Sequence, residues 1–401
     1  MKKRKVAFLH VSFPDGGAER ITMDIINYIS SFNYESYIFT CNLESEKLPT
    51  ESVNSFKPLL LPDPTNVDSV ENADFIIHSL DKNEIDIFIL PHYELVTLSY
   101  IRSRTHCKIV FAHHGVPLWE VENELSIMKR KSARNFPKKL EWHLLRYPKY
   151  KLLGKFEKKY LEKYRKIYDT VDAYTVLCDE YKKKLISKLG VQSENNKIRV
   201  IHNSERPVAE VNLNKKKQIL FVGRMTYADK RIDRLLKIWE LACSDLPDWE
   251  LVLVGDGPER ATLQQKAVEV ELPRISFEGY SNKVGEYYSQ ATVLCLTSTF
   301  EGWGLCLTEA QAHGVIPFAF GCSAGVKEIL SPSGVNGYII PPFSIRKYAR
   351  SLVALLNNPS RIKEMQMNVI QKSKKYSTEA VGLSWLCLLT VCSCLKNNNY
   401  N

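Results

Sequence analysis

Short apolar runs and amphipathic stretches alternate along the whole chain. The first run, residues 5–13, is rich in strand-forming side chains and ends at a Pro-Asp-Gly-Gly turn, which predicts a buried β-strand. Ile21, Ile25 and Ile29 then recur at the spacing of one helical face, so a helix is predicted directly after the turn. A strand, a glycine turn and a helix together are typical of the start of a doubly wound α/β domain.

Five further apolar runs in the first half of the chain have the length and composition of strands. These predicted strands are residues 36–41, 85–90, 108–112, 173–177 and 198–201. Helical stretches separate most of them, and such alternation predicts a parallel sheet with helices on its faces.

The second half of the chain repeats this pattern after a polar break. Residues 203–217 are polar, contain Pro207 and end in three lysines, which predicts a linker between two domains. The strands predicted beyond it are 219–222, 251–254, 275–277, 293–296 and 315–320, and the helices are 231–243, 259–270, 284–290, 304–312, 344–357 and 359–375. We therefore expect two Rossmann-like domains, 1–203 and 204–375, which bind ligands at the carboxyl ends of their strands.

The composition is that of a globular protein, with 44% hydrophobic and 25% charged residues. None of the 10 cysteines forms a Cys-x-x-Cys pair, and Cys295 lies inside an apolar run, so buried free thiols in a reducing compartment are expected. The chain has no secretory signal pattern and no run of about 18 apolar residues. These features predict a cytoplasmic protein.

One segment carries the whole excess of positive charge. The formal net charge is +10, and residues 129–166 contain 15 Lys or Arg against three Glu, a net of +12 that leaves −2 for the rest. Leucines and aromatic residues are interspersed among these cations, as in a helix that lies on an anionic membrane. A solvated, lysine-rich helix pair is the commoner meaning of such a charge run, and both interpretations stay open from the sequence.

The strongest chemical signal lies at residues 298–314. An apolar strand ends there in a turn with two glycines that leads into a helix, with Glu301 in the turn and Glu309 in the helix. Glycines let a ligand approach the backbone, amides at a helix start hold phosphate, and carboxylates accept hydrogen bonds from sugar hydroxyls. Taken alone, the pair of glutamates is more typical of an ordinary strand–turn–helix with surface glutamates.

Several motifs together resemble glycosyltransferase family 4. They are Glu-Gly-Trp-Gly-Leu at 301–305 followed by Glu309, Phe-Val-Gly-Arg at 221–224 followed by Lys230, and the segments 253–259, 277–280 and 336–341. The likeness is strong over 219–341 and weaker in the first half. It implies the GT-B fold, an α/β architecture of two Rossmann-like domains facing each other across a cleft. It also implies a C-terminal helix, 376–395, that packs back on the first domain, and a frayed tail, 396–401.

The resemblance implies a role for each matching residue. His114 and Glu301 would be the catalytic residues, at the edge and at the hydroxyls of the donor sugar, and Glu309 would bind the ribose. The donor-binding set is Gly17, Arg224, Lys230, Gly302, Trp303, Gly304, Leu305 and Glu309. Two fixed cations, Arg224 and Lys230, can stabilise the charge on a departing diphosphate without a metal, so no metal or cofactor is expected.

Three positions depart from the family pattern or leave it open. Arg231 follows the lysine where the family often has glycine, and it could be a third phosphate-binding cation or simply exposed. Residues 201–206 read Ile-His-Asn-Ser-Glu-Arg where Pro-Asn-Gly is common. Alignment with the following glycine favours His114 over His113.

The function that the resemblance implies is a retaining transfer of a sugar from a nucleotide-sugar to an acceptor. A UDP-sugar is favoured and a GDP-sugar is possible, and the acceptor would be a glycan or a polyprenyl-linked saccharide in surface polysaccharide or lipopolysaccharide assembly. Nucleic acid is not an expected partner, and the site of action would be the cytoplasm or the inner face of the cytoplasmic membrane. The alternatives are a GT-B-fold epimerase or phosphorylase, and a basic membrane- or nucleic-acid-binding protein without catalysis.

Overall fold

The computed structural model of this chain forms two compact units. The first unit comprises Met1–Ile201 with Ser384–Asn401, and the second comprises His202–Leu383. The sequence prediction put the change of domain at residues 203–204 and the return of the chain at 376. The described residues are 3–14, 16–48, 54–91, 94–132, 135–194 and 196–394. The tail predicted to fray, 396–401, lies outside them.

The described part of the first unit contains a seven-stranded parallel sheet in the order β3-β2-β1-β4-β5-β6-β7. Its strands are β1 Arg4–Phe13, β2 Tyr34–Leu43, β3 Lys57–Leu60, β4 Ile87–Pro91, β5 Lys108–Ala112, β6 Ala173–Val176 and β7 Ile198–Val200. Every side chain of β4 is buried, because helices cover both faces of a parallel sheet. The predicted strands are confirmed within about three residues at each end, and β3 was not predicted because it is short, mostly exposed and contains Pro58.

Helices connect these strands. They are α1 Gly17–Ser30, α2 Val70–Lys82, α3 Leu98–Arg102, α4 Trp119–Ser132, α5 Phe136–Glu141, α6 Tyr147–Leu153, α7 Lys155–Thr170 and α8 Asp179–Leu189. A π-helical turn, Trp142–Arg146, joins α5 to α6. The sharp turn between α6 and α7 is made by Gly154 at φ 56°, a left-handed conformation that glycine adopts without steric cost.

The second unit has a six-stranded parallel sheet in the order β10-β9-β8-β11-β12-β13. Its strands are β8 Gln218–Val222, β9 Glu250–Val254, β10 Ile275–Gly279, β11 Val293–Leu296, β12 Ile316–Phe320 and β13 Tyr338–Ile340. Its helices are α9 Ile232–Ala242, α10 Arg260–Glu269, α11 Val284–Gln290, α12 Leu305–Ala312, α13 Ala324–Leu330, α14 Ile345–Leu356 and α15 Pro359–Ser373, and α16 Thr378–Cys394 follows. Two parallel sheets with covering helices confirm the predicted α/β class.

The order of strands in the second unit determines where its loops meet. The strands β9, β8 and β11 are neighbours, so the loops that follow them leave the same edge of the sheet. Those loops contain the 221–224, 253–259 and 298–304 motifs, which lie far apart in sequence.

Two further predictions can be compared with the structure. Nine of the 10 cysteines, from Cys41 to Cys392, are free thiols, and Cys295 is buried as expected, although Cys387 on α16 is exposed. Over the same ranges, no helix has both the length and the apolar character needed to cross a membrane.

Candidate functional site

The loops after β8 and β9 touch through their backbones. A Cβ atom built on Gly255 would lie 2.0 Å from the carbonyl oxygen of Gly223, and one on Gly257 would lie 2.4 Å from that of Met225. Both glycines also have φ in the left-handed region, 131° and 159°. Only glycine permits this approach, which holds the loop that carries Arg224 against the end of β9.

A buried ion pair links the loop after β8 to the loop after β11. The Lys230 ammonium lies 2.6 Å from Oε1 of Glu301, with 19% and 10% of the two side chains exposed. The Ser298 hydroxyl donates to the same oxygen at 2.7 Å. Burial by itself lowers the pKa of Lys230, but the adjacent Glu301 carboxylate outweighs it and raises that pKa above its usual range. Lys230 is therefore a permanent cation oriented by the Glu301 carboxylate, which the Ser298 hydroxyl holds in turn.

The three basic residues of this loop differ in what they contact. Arg224 is exposed, so its guanidinium is accessible to an anionic ligand. Arg231 instead forms a bidentate ion pair with Asp233, 2.8 Å at both contacts. It also has φ 53°, the left-handed conformation for which glycine is best suited. Arg231 is therefore the N-cap residue of α9, and two of its guanidinium nitrogens donate to Asp233.

The turn before α12 is held from behind by α13. Gly304 has φ 92°, and a Cβ atom on Gly325 of α13 would lie 2.4 Å from the carbonyl oxygen of Gly302. The indole of Trp303 is buried, stacked on His202 at 5.3 Å and edge-on to Tyr376 at 5.3 Å. Trp303 therefore contributes packing, and the backbone of Gly302 to Leu305 forms the wall of the turn.

Glu309 lies further along α12 and is positioned by a tyrosine of α11. The Tyr288 hydroxyl donates to Glu309 Oε2 at 2.7 Å, and burial together with that carboxylate raises the pKa of Tyr288 well above its usual range. The Tyr288 ring stacks on His313 at 5.2 Å, whose Nδ1 donates to the Glu309 carbonyl oxygen at 2.8 Å. Tyr288 therefore positions the carboxylate of Glu309, and His313 binds the backbone carbonyl of the same residue.

Lys215, at the end of the predicted linker, binds backbone carbonyls beside Tyr288 and His313. The Lys215 ammonium donates to the carbonyl oxygens of Tyr288, Ser289 and His313 at 2.9, 3.1 and 2.8 Å. Burial lowers the pKa of Lys215 to about 8. Lys215, at the end of the predicted linker, therefore packs against the second unit, where its ammonium caps carbonyls of the last turn of α11 and the carbonyl that follows α12.

The segment that departs from the family's Pro-Asn-Gly pattern contains a buried carboxylate. Glu205 is 5% exposed, and the Thr308 hydroxyl donates to its Oε2 at 3.2 Å. Its backbone amide donates to Tyr376 at 2.6 Å, and its carbonyl oxygen accepts from the Thr378 amide at 3.0 Å. Glu205 therefore joins this segment to α12 and to the start of α16.

In the first unit, the two candidate residues lie at the carboxyl edge of the sheet. Gly17 is the first residue of α1, directly after Gly16 at φ 132°. His114 follows β5 and is half-buried, whereas His113 is buried and its Nδ1 lies 2.8 Å from the Tyr174 hydroxyl. The structure thus leaves His114 the more accessible of the two histidines.

Sequence reasoning missed four residues that shape the site. They are Ser298, Tyr288, His313 and Gly325. Ser298 could have been found, since a hydroxyl three residues before Glu301 can reach it across the turn. The other three show no local signal because their partners come from different elements.

Acid is expected to destabilise the second unit through His313. Burial holds the pKa of His313 below its ordinary 6.5. The unfolded chain therefore binds a proton here more readily than the folded unit, so the contribution to stability is present above pH 6.5 and is lost as the pH falls below it. The midpoint of thermal unfolding should fall between about pH 7 and pH 5, and less steeply for His313→Gln. The exposed His143→Gln serves as the control, and an unchanged slope in His313→Gln would contradict the assignment.

Two family profiles match the chain almost end to end. Residues 15–204 match Glycosyltransferase Family 4, and residues 203–376 match Glycosyl transferases group 1. The family predicted from the 298–314 motif and its companions is therefore confirmed.

Relatives and solved structures agree with these matches. The chain is 34% identical over 175 residues to an uncharacterized glycosyltransferase of Haemophilus influenzae, covering 43% of this chain and 49% of that protein. It is 31% identical over 184 residues to the amylovoran biosynthesis glycosyltransferase AmsD of Erwinia amylovora, covering 46% and 51%. The chain thus spans about half the length of these curated relatives.

The fold is shared over almost the full length of a solved structure. HepE of Anabaena in complex with UDP-glucose superposes with a TM-score of 0.70 and 14% identity, covering 96% of this chain and 99% of that one. At this identity the likeness shows the fold alone, and it agrees with the predicted GT-B class.

Proposed function

This chain belongs to glycosyltransferase family 4, and from that premise we propose that it transfers a sugar from a nucleotide-sugar, with UDP favoured over GDP, to a saccharide acceptor. The observation that carries the proposal is the Lys230–Glu301 pair, 2.6 Å apart, in loops that leave the same sheet edge as Arg224. It combines a permanent cation suited to a diphosphate with a carboxylate suited to sugar hydroxyls.

The reaction would use the two cations to stabilise the leaving group. As the bond from the anomeric carbon to the diphosphate oxygen breaks, negative charge collects on the diphosphate, where Lys230 and Arg224 can bind it. The acceptor hydroxyl attacks from the same face and gives its proton to the departing phosphate, so that the configuration is retained. Glu301 binds sugar hydroxyls, Glu309 the ribose and His114 the edge of the sugar. No metal ion or organic cofactor enters this scheme.

The acceptor we propose is a glycan or a polyprenyl-linked saccharide in surface polysaccharide or lipopolysaccharide assembly. The name of the Erwinia relative, an amylovoran biosynthesis glycosyltransferase, supports a polysaccharide product. A UDP-sugar donor is supported by the UDP-glucose that HepE binds. A lipid-linked acceptor lies in the cytoplasmic membrane, so the enzyme would act from its cytoplasmic face.

Nucleotide binding tests the proposal directly. The purified protein is heated with UDP, GDP, ADP and the corresponding sugar nucleotides, beside the Lys230→Ala and Glu309→Ala variants. Stabilisation by one nucleotide series, lost in both variants, is the expected result and names the donor class. Absence of stabilisation by every nucleotide, with a folded wild-type protein, would overturn the proposal.

Tyr288→Phe is expected to weaken donor binding by about 10- to 30-fold. The variant removes the hydroxyl that donates to Glu309 at 2.7 Å, and a hydrogen bond to a charged group contributes about 1.5–2 kcal/mol. Because Glu309 is assigned to the ribose, the KM for the donor should rise while kcat changes little.

The neighbouring tyrosine provides the matched control. Tyr287 also donates to a glutamate, Glu278, but at 3.4 Å and on the surface. Tyr287→Phe should leave the KM for the donor unchanged. Equal effects of the two substitutions would show that Tyr288 does not act through Glu309.

A further inference from the structure

Large aliphatic and aromatic side chains are exposed along α5, the π-helical turn and α6, the segment 136–153. Removing an apolar side chain from water lowers the free energy. A cluster of apolar side chains exposed to water therefore marks a surface that an apolar partner covers. The members are exposed by 51 to 84%, and they are Phe136, Leu140, Leu144, Leu145, Leu152 and Leu153.

The segment packs around a buried aromatic residue, Trp142, and the exposed leucines take no part in that packing. Trp142 is 1% exposed, and its ring lies 5.9 Å from Tyr147 and 6.3 Å from Tyr150. Tyr150 in turn stacks on Phe156 at the start of α7, 5.1 Å away. Trp142 is thus buried and Tyr150 and Phe156 are half-buried, whereas Phe136 and the leucines face solvent.

Cations surround the exposed leucines. The segment 136–155 contains six lysines and arginines against one glutamate, Glu141, and Glu141 is paired with Arg146 at 2.8 Å. The exposed cations are Lys138, Lys139, Arg146, Lys149, Lys151 and Lys155. Long basic side chains beside apolar ones are suited to a boundary where hydrocarbon meets anionic headgroups.

We propose that residues 136–155, the docking segment, bind the surface of an anionic phospholipid bilayer. The six apolar side chains enter the interface, and the lysines contact headgroup phosphates. Charge complementarity commits the surface to an anionic partner, and the aliphatic leucines favour lipid over nucleic acid, which offers them no apolar phase. The inference does not rest on the proposed transferase activity, since it concerns a surface and not the donor site.

The structure restricts the candidate membrane-binding residues to a shorter part of the segment 129–166, which the charge count indicated. Within 129–166, α7 turns Tyr164 and Ile167 inward, where they are buried, and Phe156, Tyr160 and Leu161 are half-buried. The apolar residues available to a membrane therefore belong to the docking segment, and α7 contributes charge and support.

Vesicle flotation with defined variants tests the proposal. The full chain is mixed with vesicles of phosphatidylcholine alone or with about one quarter phosphatidylglycerol. The variants are Leu144→Ser with Leu145→Ser, Leu152→Ser with Leu153→Ser, and Lys149→Gln with Lys151→Gln. The controls are Val268→Ser, which is 76% exposed elsewhere, and Lys217→Gln with Lys237→Gln.

The expected result is binding to the anionic vesicles only. Each leucine pair should weaken it by about tenfold or more, and the lysine pair by about fivefold per cation at low salt, with less effect at high salt. The controls should bind like the wild type, and nucleotide-induced thermal stabilisation should be the same in all variants, which separates this test from that of the donor site. Failure of the wild type to bind, equal binding by the leucine variants, or displacement of the vesicles by a short RNA would overturn the proposal.

Discussion

Lys230→Ala is expected to lower kcat/KM for the donor by about 10²–10³. The Lys230 ammonium lies 2.6 Å from Glu301 Oε1 at the edge of the sheet, and the Ser298 hydroxyl donates to the same oxygen. It is positioned before the reaction begins, so its interaction with a departing diphosphate costs little reorganisation. Removing it takes away charge stabilisation that is largest in the transition state.

The same variant is expected to be less stable. Alanine leaves Glu301 with 10% of its side chain exposed and without its cation, and breaking a buried pair in this way costs about 3 kcal/mol. Thermal unfolding should therefore be followed in parallel, and kcat/KM measured at a temperature at which the variant is fully folded.

Lys217→Ala is the control for this prediction. Lys217 also pairs with a carboxylate, Asp248, at 2.7 Å, but 59% and 69% of the two side chains are exposed. An exposed pair contributes about 0–1 kcal/mol, so neither activity nor stability should change measurably. A Lys230→Ala protein with wild-type kcat/KM would remove Lys230 from the mechanism.

Gly255→Ala is expected to disrupt the second unit and to abolish nucleotide binding. The added Cβ would lie 2.0 Å from the carbonyl oxygen of Gly223, and φ at this position is 131°. Because the obstacle is backbone, the loop that carries Arg224 must move away from β9. The combined collision and backbone strain should cost about 3–5 kcal/mol, which lowers the midpoint of thermal unfolding by roughly 6–20 °C.

Gly334→Ala separates the collision from the strain. Gly334 has φ 84° and no heavy atom within 4 Å of the position of an added Cβ, so it pays the conformational cost alone, about 1 kcal/mol. The difference between the two variants measures the contact between the loops after β8 and β9. If both alanines lower the unfolding midpoint equally, the close approach of Gly223 and Gly255 contributes nothing.

Local pattern was sufficient to predict most elements of this fold. Strands such as β5 and β11 are continuous apolar runs, and parallel strands covered on both faces must have that composition. Elements that it missed include β3, an exposed edge strand, and α13, a short helix whose Gly325 packs against Gly302. Their sequences resemble loops because their stability comes from neighbours that are distant in sequence.

The sequence predicted which residues belong to the candidate site, but it did not predict which of them are in contact. Lys230 and Glu301 were each identified from a motif, but they are 71 residues apart, and only the adjacency of β8 and β11 makes them a pair. Tyr288 and His313 carried no signal of their own, since each acts by holding Glu309. Arg231 was ambiguous until its left-handed backbone and its pairing with Asp233 were known.

The sequence by itself determined the two α/β units, the family, and the presence of cations, carboxylates and excess charge, because apolar periodicity and short motifs are local properties of the chain. The tertiary structure decided which of those groups touch and which side chains face water. In the docking segment it left the leucines exposed to solvent and buried Trp142. The physical reason is that burial and ion pairing depend on atoms brought together by strand order and helix packing, and no local window of the sequence contains both partners.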